Sequence, residues 1–560
     1  MKARLLLLFV SVAWAAPPTV TTSCGEVQGR WSSQDPSLAE FLGIPYGAQP
    51  ERWMPPQPAK CWQGTLSAVD SGPACPQSMV ILPFQESEDC LHLDVYAPRL
   101  NKSSSDLLPV IFWIYGGSNV AGSNTMYSNL SQFALDPAFP AVVVAANYRV
   151  GTLGFLALPE LSARDPRGIS GNYAILDQQA ALRWVQDNIH AFGGDPARVT
   201  LFGQSSGGSN IFGLAASPQS VGLFSGAISL SGSPNITMSL TQAEEQNAGL
   251  PAILGCPGNG GDVVECLLNL SFAAVQKLPV EYLSASLVPL SSQGLGTAGL
   301  LIVDGVTIPE PLLDALARPI NNVSMIVQHL QCDTDLDVNA TFRDSSKPEF
   351  AEWLLGYFER GNWSDPAGSL RAYQSLYESR FLSVEEASNT FLSDVGVGCG
   401  NDAVAASIAT GNRKAGVQST KGMPVYRGVV ELGPSRPMRS PDGGYMHFPF
   451  HMWDYMAAAG AFQQLLPPSA PRYQPTEDDI AFGDNQRAMW LRFAYDPESL
   501  QAAPWHWQPV DAANFPQQIV TGVFNSTAPT VSAVVDYATA VCEALSAAPL
   551  NMGQLFWWVN

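Results

Sequence analysis

A serine between two glycines carries the clearest chemical signal in the sequence. The run Gly203-Gln204-Ser205-Ser206-Gly207 follows a short apolar stretch, Arg198 to Phe202, and precedes a helical pattern from Asn210 to Ala216. Strand, sharp turn and helix in this order are the context in which a GxSxG serine is held in a strained turn. Glycine at both ends lets neighbouring backbone approach the turn closely. The pattern therefore predicts that Ser205 is a nucleophile.

A serine hydroxyl attacks a carbonyl carbon efficiently only if a base takes its proton and preplaced donors stabilise the oxyanion that forms. Donors are expected at the end of the apolar run Pro109 to Gly116, which has the pattern of a strand leading into glycines. The N–H groups of Gly117 and Ser118, with that of Ser206 at the start of the next helix, are predicted to form an oxyanion hole. The alternative is an ordinary turn after a buried strand.

Length and composition indicate a large globular protein. The chain has 560 residues, of which 46% are apolar and 14% charged, so it can bury an extensive core. No repeat or low-complexity tract marks a linker, and one domain over residues 17–560 is predicted. Lys and Arg total 28 against 49 acidic residues, and the formal net charge is −21. This balance argues against nucleic acid as a partner, because phosphate binding needs clustered basic residues.

The N-terminus predicts export. Lys2 and Arg4 precede the apolar run Leu5 to Val12, and small residues lie before a cleavage site near Ala16, which is typical of a signal peptide over residues 1–16. A membrane-spanning helix needs roughly 20 apolar residues, and no run in the chain reaches that length. We therefore expect a secreted, extracellular protein without a transmembrane segment.

Export would allow the nine cysteines to form disulfides. Proximity along the chain predicts the pairs Cys75–Cys90 and Cys256–Cys266. One pairing of the others joins Cys24 to Cys61 and Cys399 to Cys542 and leaves Cys332 as the odd cysteine, but the sequence leaves these five open. No close Cys and His pairs of the kind that bind zinc occur, so no metal site is expected. Eight sequons are candidate glycosylation sites: Asn101, Asn129, Asn235, Asn269, Asn322, Asn339, Asn362 and Asn525.

Several ordered runs resemble those of the type-B carboxylesterase/lipase family, which includes the cholinesterases, and the likeness is closest to fungal cholinesterase-like members. The resemblance implies the α/β-hydrolase fold, an α/β fold whose large, mostly parallel, twisted central sheet has helices on both faces. It also implies a serine carboxylesterase without a cofactor. The region from about 340 to 440, poor in family matches, is predicted to form a cap or gorge wall. Besides the glycine turn and the Ser205 elbow, the matching runs are Phe41–Gly47, Ser87–Tyr96, Asn147–Gly151, Gly171–Tyr173, Asp177–Val185, Phe192–Pro196 and Ser231–Ser233.

The family order of nucleophile, acid and histidine implies where the acid lies. In the family the acid follows a strand, and Ser324 to Leu330 has the pattern of such a strand. This places Asp333 at the acid position. Most relatives have Glu there, and Asp335 remains an alternative. Either residue could instead be a solvated loop acid.

The base must be a histidine that follows the acid. The family's histidine is followed by an acid three residues later and often by a glycine nine later, which His451 satisfies with Asp454 and Gly460. His447 stays open because it has the family's glycine, Gly444, three residues before it. His329 is excluded because it precedes the acid. His506 is excluded because it lies in a late segment that resembles a surface region of the family. The histidines that follow Ser205 are His329, His447, His451 and His506.

These residues predict a serine hydrolase that forms an acyl-enzyme. The Cys75–Cys90 loop lacks the tryptophan that binds choline in cholinesterases, and its segment Met79 to Phe84 is short and apolar. Small to medium apolar esters are therefore the expected substrates. The alternative is a non-catalytic or vestigial cholinesterase-like binding or adhesion protein. Natural substrate and oligomeric state are left open by the sequence.

Overall fold

Apolar runs rich in β-branched residues form a central sheet that has 11 strands within the described part of the chain. Its middle strands are buried along almost their whole length, as expected for strands covered on both faces. In chain order the strands of the molecule are β1 (Thr19–Thr22), β2 (Gly25–Gln28), β3 (Arg30–Trp31), β4 (Leu38–Pro45), β5 (Gly47–Ala48), β6 (Gln57–Pro58), β7 (Thr65–Ser67), β8 (His92–Pro98), β9 (Leu108–Ile114), β10 (Val142–Ala146), β11 (Gly194–Gln204), β12 (Gly226–Leu230), β13 (Ser324–Leu330), β14 (Val425–Val430), β15 (Met438–Arg439), β16 (Tyr445–Met446), β17 (Val520–Phe524) and β18 (Ser532–Val535).

The sheet is parallel in its centre and antiparallel at its edges. Its spatial order is β18-β17-β14-β13-β12-β11-β9-β10-β8-β4-β3. All neighbouring pairs from β17 to β10 are parallel, and the outer pairs are antiparallel. The prediction of a mostly parallel sheet is therefore confirmed. Because parallel strands end at the same edge, the loops after β9, β11, β12 and β13 meet there.

The structure is a computed structural model, and several sequence predictions fall outside the residues it describes. These are Asp335, the loop segment Met79 to Phe84, and the sequons at Asn101, Asn235, Asn339 and Asn362. The described residues are 16–48, 51–77, 85–99, 107–126, 129–234, 236–258, 260–275, 301–333, 345–360, 365–381, 383–415, 423–439, 445–463, 472–511, 513, 520–535 and 542.

Helices flank the sheet in two groups. In the first group α4, α5, α10 and α14 contact one another and strands from β9 to β14, whereas in the second α15 packs on α16, which contacts β9 and β11. Within the described residues, none of the helices has the length and apolar character that a bilayer crossing requires. The helices are α1 (Ser131–Ala134), α2 (Gly151–Phe155), α3 (Pro159–Ser162), α4 (Tyr173–Asn188), α5 (Ser206–Ala216), α6 (Leu240–Asn247), α7 (Leu250–Ile253), α8 (Gly261–Asn269), α9 (Phe272–Val275), α10 (Leu312–Leu316), α11 (Lys347–Arg360), α12 (Pro366–Tyr373), α13 (Val384–Ser393), α14 (Cys399–Lys414), α15 (Trp453–Ala459) and α16 (Glu477–Tyr495).

A cluster of aromatic rings fastens α15 to the sheet. The ring of Tyr455 in α15 stacks on Trp113 of β9, with 4.4 Å between ring centroids. Phe202 of β11 packs against Trp113 at 5.2 Å and against Trp490 of α16 at 5.2 Å. Aromatic pairs at these distances stabilise a contact beyond the area they bury. The start of α15, which follows His451 directly, is therefore held close to the strands that carry the site.

The helical part of the predicted cap has an apolar cluster of its own. Side chains of α11, α12 and α13 pack together around the buried residues Phe350, Phe358 and Phe391. The later part of the same region returns to the main body, because α14 packs on β13 and β14 is a strand of the central sheet. A cap or gorge-wall role for the helices from 347 to 393 stays a prediction.

Four disulfides join parts of the chain that the topology brings together. Cys75–Cys90 and Cys256–Cys266 close short loops, and Cys24–Cys61 and Cys399–Cys542 join more distant segments. Cys332 takes part in none of these bonds and is buried, with its sulfur 3.7 Å from Thr390 Oγ1. The covalent links thus match the pairs that proximity favoured and the pairing considered for four of the other cysteines.

The described sequons differ in exposure. Asn269 and Asn525 are exposed, whereas Asn129 and Asn322 are partly buried. Asn129 also donates from its Nδ2, the atom that a glycan would modify, to the carbonyl oxygen of Ala459 at 2.7 Å. Glycosylation is untested at every sequon, but exposure favours Asn269 and Asn525.

A buried carboxyl group in β8 makes stability depend on pH. Asp94 is fully buried, and its carboxylate accepts the backbone N–H of Gly43 at 2.7 Å and the hydroxyl of Ser71 at 2.6 Å. Burial raises the pKa of Asp94 to about 6, whereas an unfolded aspartate has a pKa of about 3.9. Between these values the folded state binds more protons than the unfolded state. The stability contributed by this group is therefore lost as the pH rises from about 4 to about 6.

We expect Asp94→Asn, which imitates the neutral carboxyl, to stabilise the protein at pH 8 but not at pH 4. A shift of about two pKa units corresponds to about 3 kcal/mol at the higher pH. Thermal unfolding of the parent and the variant at both pH values measures the difference. A gain in Tm that was equal at pH 4 and pH 8 would contradict the assignment.

Candidate active site

Ser205 lies in the sharp turn between β11 and α5. Its backbone has φ 60° and ψ −129°, outside the regions that L-residues normally occupy. Steric contacts explain the flanking glycines: a Cβ on Gly203 would lie 2.5 Å from the carbonyl oxygen of Gly207, and one on Gly207 would lie 2.1 Å from that of Ile114. The elbow predicted from the sequence is thus present, with the Ser205 N–H donated to the Leu230 carbonyl at 2.8 Å.

The segment Gly116 to Gly122, which we call the glycine loop, lies against the elbow. A Cβ on Gly116 would lie 2.7 Å from the Cβ of Ser205, and Gly117 has φ 120° with no room for a side chain beside the carbonyl of Ala121. Gly117 and Ser118 are partly exposed, although the residues on either side of them are buried. Gly117 and Ser118, which carry two of the predicted oxyanion donors, therefore lie near the elbow and are partly accessible to solvent.

Asp333 lies three residues after the end of β13 and is fully buried. Its Oδ1 accepts the ring N–H at Nδ1 of His451 at 2.8 Å and the hydroxyl of Ser231 at 2.9 Å. Its Oδ2 accepts the backbone N–H of Leu330 at 3.2 Å. Three hydrogen bonds thus converge on this buried side chain, which the family resemblance implies is the acid of the site.

His451 is the histidine that meets the acid. Backbone contacts join the two loops, because Cys332 pairs with Phe450 in a parallel bridge. Since Nδ1 of His451 donates to Asp333, its Nε2 is left as an acceptor, and Nε2 lies 3.1 Å from Nε2 of Gln204. His447, the alternative, is exposed, and its ring lies beside those of Tyr445 and Phe448. The geometry therefore favours His451 over His447.

Two side chains in the site were missed as functional residues by sequence reasoning. Gln204 uses its amide to contact the imidazole, and Ser231, at φ 52°, supports the acid. Both lie inside runs that match the family, at the elbow and at Ser231-Gly232-Ser233. The motif showed where they are in the chain, but not that their side chains point at the imidazole and the carboxylate.

A second buried carboxyl group lies close to this centre. Asp454 accepts the side-chain N–H of Gln328 at 2.7 Å and the backbone N–H of Tyr455 at 2.8 Å. Burial raises the pKa of Asp454 to about 6, and the negative charge of Asp333 adds to the rise. Two nearby carboxylates in a dry environment disfavour simultaneous ionisation.

The elbow that carries Ser205, the predicted base His451 and the predicted acid Asp333 thus lie together at one edge of the sheet. Nε2 of His451 contacts Gln204, the residue before Ser205, and the glycine loop packs against the elbow at Gly116. Within the described residues, no group of three His, Cys, Asp or Glu side chains is placed to hold a metal ion. This arrangement suits nucleophilic acyl transfer.

The chain is similar to several known proteins. The model of the carboxylesterase family matches residues 16–522. The medium-chain fatty acyl-CoA hydrolase precursor of Anas platyrhynchos is 34% identical over 366 residues, covering 61% of this chain and 60% of the relative. Carboxylesterase 1C of Rattus norvegicus is 35% identical over 339 residues, covering 56% and 57%. The matches therefore span less than two thirds of these curated relatives.

The structural likeness to a known protein covers more of the chain than these sequence matches do. A solved structure of a PNB esterase has a TM-score of 0.71 and 25% identity, covering 94% of this chain and 99% of the esterase. This likeness confirms the α/β-hydrolase fold expected from the sequence, whereas the closer likeness to fungal members stays a prediction. With a family match over most of its length, the chain belongs to the carboxylesterase family.

Proposed function

We propose that the protein is a secreted serine carboxylic-ester hydrolase that acts through an acyl-enzyme on small to medium apolar esters. The observation that carries the proposal is the chain of contacts from the elbow to the acid. Gln204, next to Ser205, contacts Nε2 of His451, and Nδ1 of the same ring donates to Asp333. A neutral imidazole held in this tautomer can accept a proton on its elbow side.

In the proposed mechanism Ser205 Oγ attacks the ester carbonyl while its proton passes to Nε2 of His451. Asp333 orients the ring and stabilises the imidazolium that forms. The N–H groups of Gly117, Ser118 and Ser206 donate hydrogen bonds to the carbonyl oxygen and stabilise its negative charge. Collapse releases the alcohol, which takes the proton from the imidazolium, and leaves the acyl group on Ser205. Water, activated by the same imidazole, then releases the acid.

The preference for apolar esters rests on sequence and relatives. The Cys75–Cys90 loop contains no tryptophan to bind a quaternary ammonium by its ring face. The duck relative is named as a medium-chain acyl-CoA hydrolase, which fits acyl groups of intermediate length. We therefore expect the acyl chain, rather than a charged alcohol, to determine the substrate.

Export is supported by features of the folded chain as well as by the N-terminal pattern. Four disulfides are compatible with an oxidising compartment, and two sequons are exposed. A formal charge of −21 also favours solubility. The non-catalytic alternative has no comparable support, because a protein that only binds does not need a buried acid aligned with an imidazole.

An ester series tests the proposal. We expect hydrolysis of nitrophenyl esters with kcat/KM highest for butyrate to octanoate and at least about tenfold lower for palmitate. This expectation reflects a gain from each buried methylene until the pocket is filled. Mass spectrometry of samples quenched during turnover should show protein carrying one acyl group. Hydrolysis of none of the esters would overturn the proposed function, and a maximum at palmitate would overturn the chain-length assignment.

A matched pair of substrates separates acyl preference from choline recognition. Butyrylthiocholine and its uncharged dimethylbutyl analogue differ in charge but hardly in shape. Equal kcat/KM values within about threefold are expected, because the Cys75–Cys90 loop has no tryptophan to supply a cation–π contribution. A preference for the charged ester of tenfold or more would contradict the substrate assignment.

A further inference from the structure

The glycine loop is joined to α5 by two buried asparagine side chains. Nδ2 of Asn119 donates to Oδ1 of Asn210 at 3.1 Å, and Nδ2 of Asn210 donates to Oδ1 of Asn119 at 3.0 Å. Neither residue is exposed to solvent. The two amides thus satisfy one another across 91 positions of sequence, in surroundings where a single amide would be costly to bury.

A third contact reinforces this pair. The backbone N–H of Asn119 donates to the hydroxyl of Ser206 at 3.0 Å. Ser206 and Asn210 are four residues apart in α5 and therefore share one face of the helix. One helical face holds both the backbone and the side chain of Asn119.

The conformation of the loop explains why such a hold is needed. Ser118 and Asn119 have φ values of 56° and 57°, and two successive non-glycine residues in the left-handed region are unfavourable without outside contacts. Asparagine tolerates this region better than most residues. The strained pair directly follows Gly117, so its geometry sets the directions of the N–H groups that the proposed function assigns to the oxyanion.

We propose that Asn119 and Asn210 are positioning residues that hold the glycine loop on α5 and keep the oxyanion donors aimed at the carbonyl oxygen. The inference rests on the proposed ester hydrolysis for its catalytic part. Because the same helix starts directly after Ser205, donors and nucleophile are held to one rigid element. Neither asparagine contacts the substrate in this scheme.

Asn210→Ala is the variant that tests the pair, because alanine suits a helix and Asn119 keeps its left-handed position. We expect kcat for nitrophenyl butyrate to fall about 30-fold, less than the roughly 10²–10³-fold cost of deleting one oxyanion donor. KM should stay within about twofold. The inhibition constant of a trifluoromethyl ketone, which forms a tetrahedral adduct, should rise in parallel with the loss in kcat.

The control is Asn412→Ala. Asn412 is a buried asparagine of α14 that donates to the carbonyl oxygens of Val323 and Met423, both at 3.0 Å. It should lower Tm by a similar amount, because it also leaves buried polar groups unpaired, yet keep kcat and the ketone affinity. Equal losses of kcat in both variants, or an unchanged kcat in Asn210→Ala, would overturn the positioning role.

Hydrogen exchange tests, without any substrate, whether the asparagine pair fixes the glycine loop to α5. The amides of Asn119, Val120 and Ala121 should exchange at least about tenfold faster in Asn210→Ala than in the parent or in Asn412→Ala. Unchanged exchange would overturn the inference. If the parent hydrolysed no ester while this exchange difference appeared, the proposed function would fail and the structural hold would stand, so the two failures are distinguishable.

Discussion

Replacing Ser205 with alanine is expected to lower kcat for nitrophenyl butyrate by about 10⁶-fold, the scale of loss when a serine hydrolase loses its nucleophile. The methyl group cannot form an acyl-enzyme, and only binding and the oxyanion donors remain to assist attack by water. KM should change little because the loss concerns a bond made during reaction. Steady-state kinetics measure the ratio, and a fluorophosphonate probe should label the parent stoichiometrically and the variant not at all.

The matched control for this variant is Ser217→Ala at the far end of α5. Ser217 is buried and accepts the side-chain N–H of Gln179 at 2.9 Å, so its loss disturbs packing but not the reacting groups. It should keep full labelling and turnover. Equal labelling of the parent and Ser205→Ala would remove Ser205 from the mechanism.

Replacing His451 with glutamine is expected to reduce kcat by about 10⁴- to 10⁶-fold, because no group of suitable basicity would then accept the proton of Ser205. Glutamine is similar in size to histidine and has an amide N–H that can donate to Asp333, so the fold should be kept. His447→Gln is the natural comparison, since His447 is exposed whereas Asp333 is fully buried. It should retain kcat within about threefold. Parallel kinetics and Tm measurements on the two variants decide between the histidines.

The reverse pattern, with activity lost in His447→Gln and kept in His451→Gln, would show that the base had been assigned to the wrong residue. Loss in both would indicate that the segment, rather than one imidazole, is what activity requires. The Tm values distinguish that outcome from unfolding.

Local pattern was sufficient to predict the elbow and several strands of the central sheet. The elbow can be predicted from the residues Gly203 to Gly207 because the need for glycine there arises locally. A side chain at either glycine would clash with backbone a few residues away or with one neighbouring strand. Continuous apolar runs such as β9 and β10 predict buried parallel strands for the same reason. The acid and base required the family resemblance, because nothing local distinguishes Asp333 from Asp335 or His451 from His447.

Side-chain partners across long separations were beyond prediction. The contact of Gln204 with His451 spans 247 positions, and the amide pair of Asn119 and Asn210 spans 91. Such contacts depend on the rotamers and register of the finished fold, which composition and periodicity do not encode. Two of the disulfides, by contrast, could be predicted from proximity along the chain. A short loop brings its two cysteines together whatever the rest of the fold is.

The crowding at Gly207 has a consequence for diversification of the site. With Ile114 O only 2.1 Å from where a Cβ would stand, even alanine would push the elbow strand away from β9 and carry the nucleophile with it. Positions 204 and 206 are constrained as well, because Gln204 contacts His451 and Ser206 accepts the backbone N–H of Asn119. New specificities on this scaffold would therefore arise from side chains outside the elbow, with the residues from 203 to 207 kept constant.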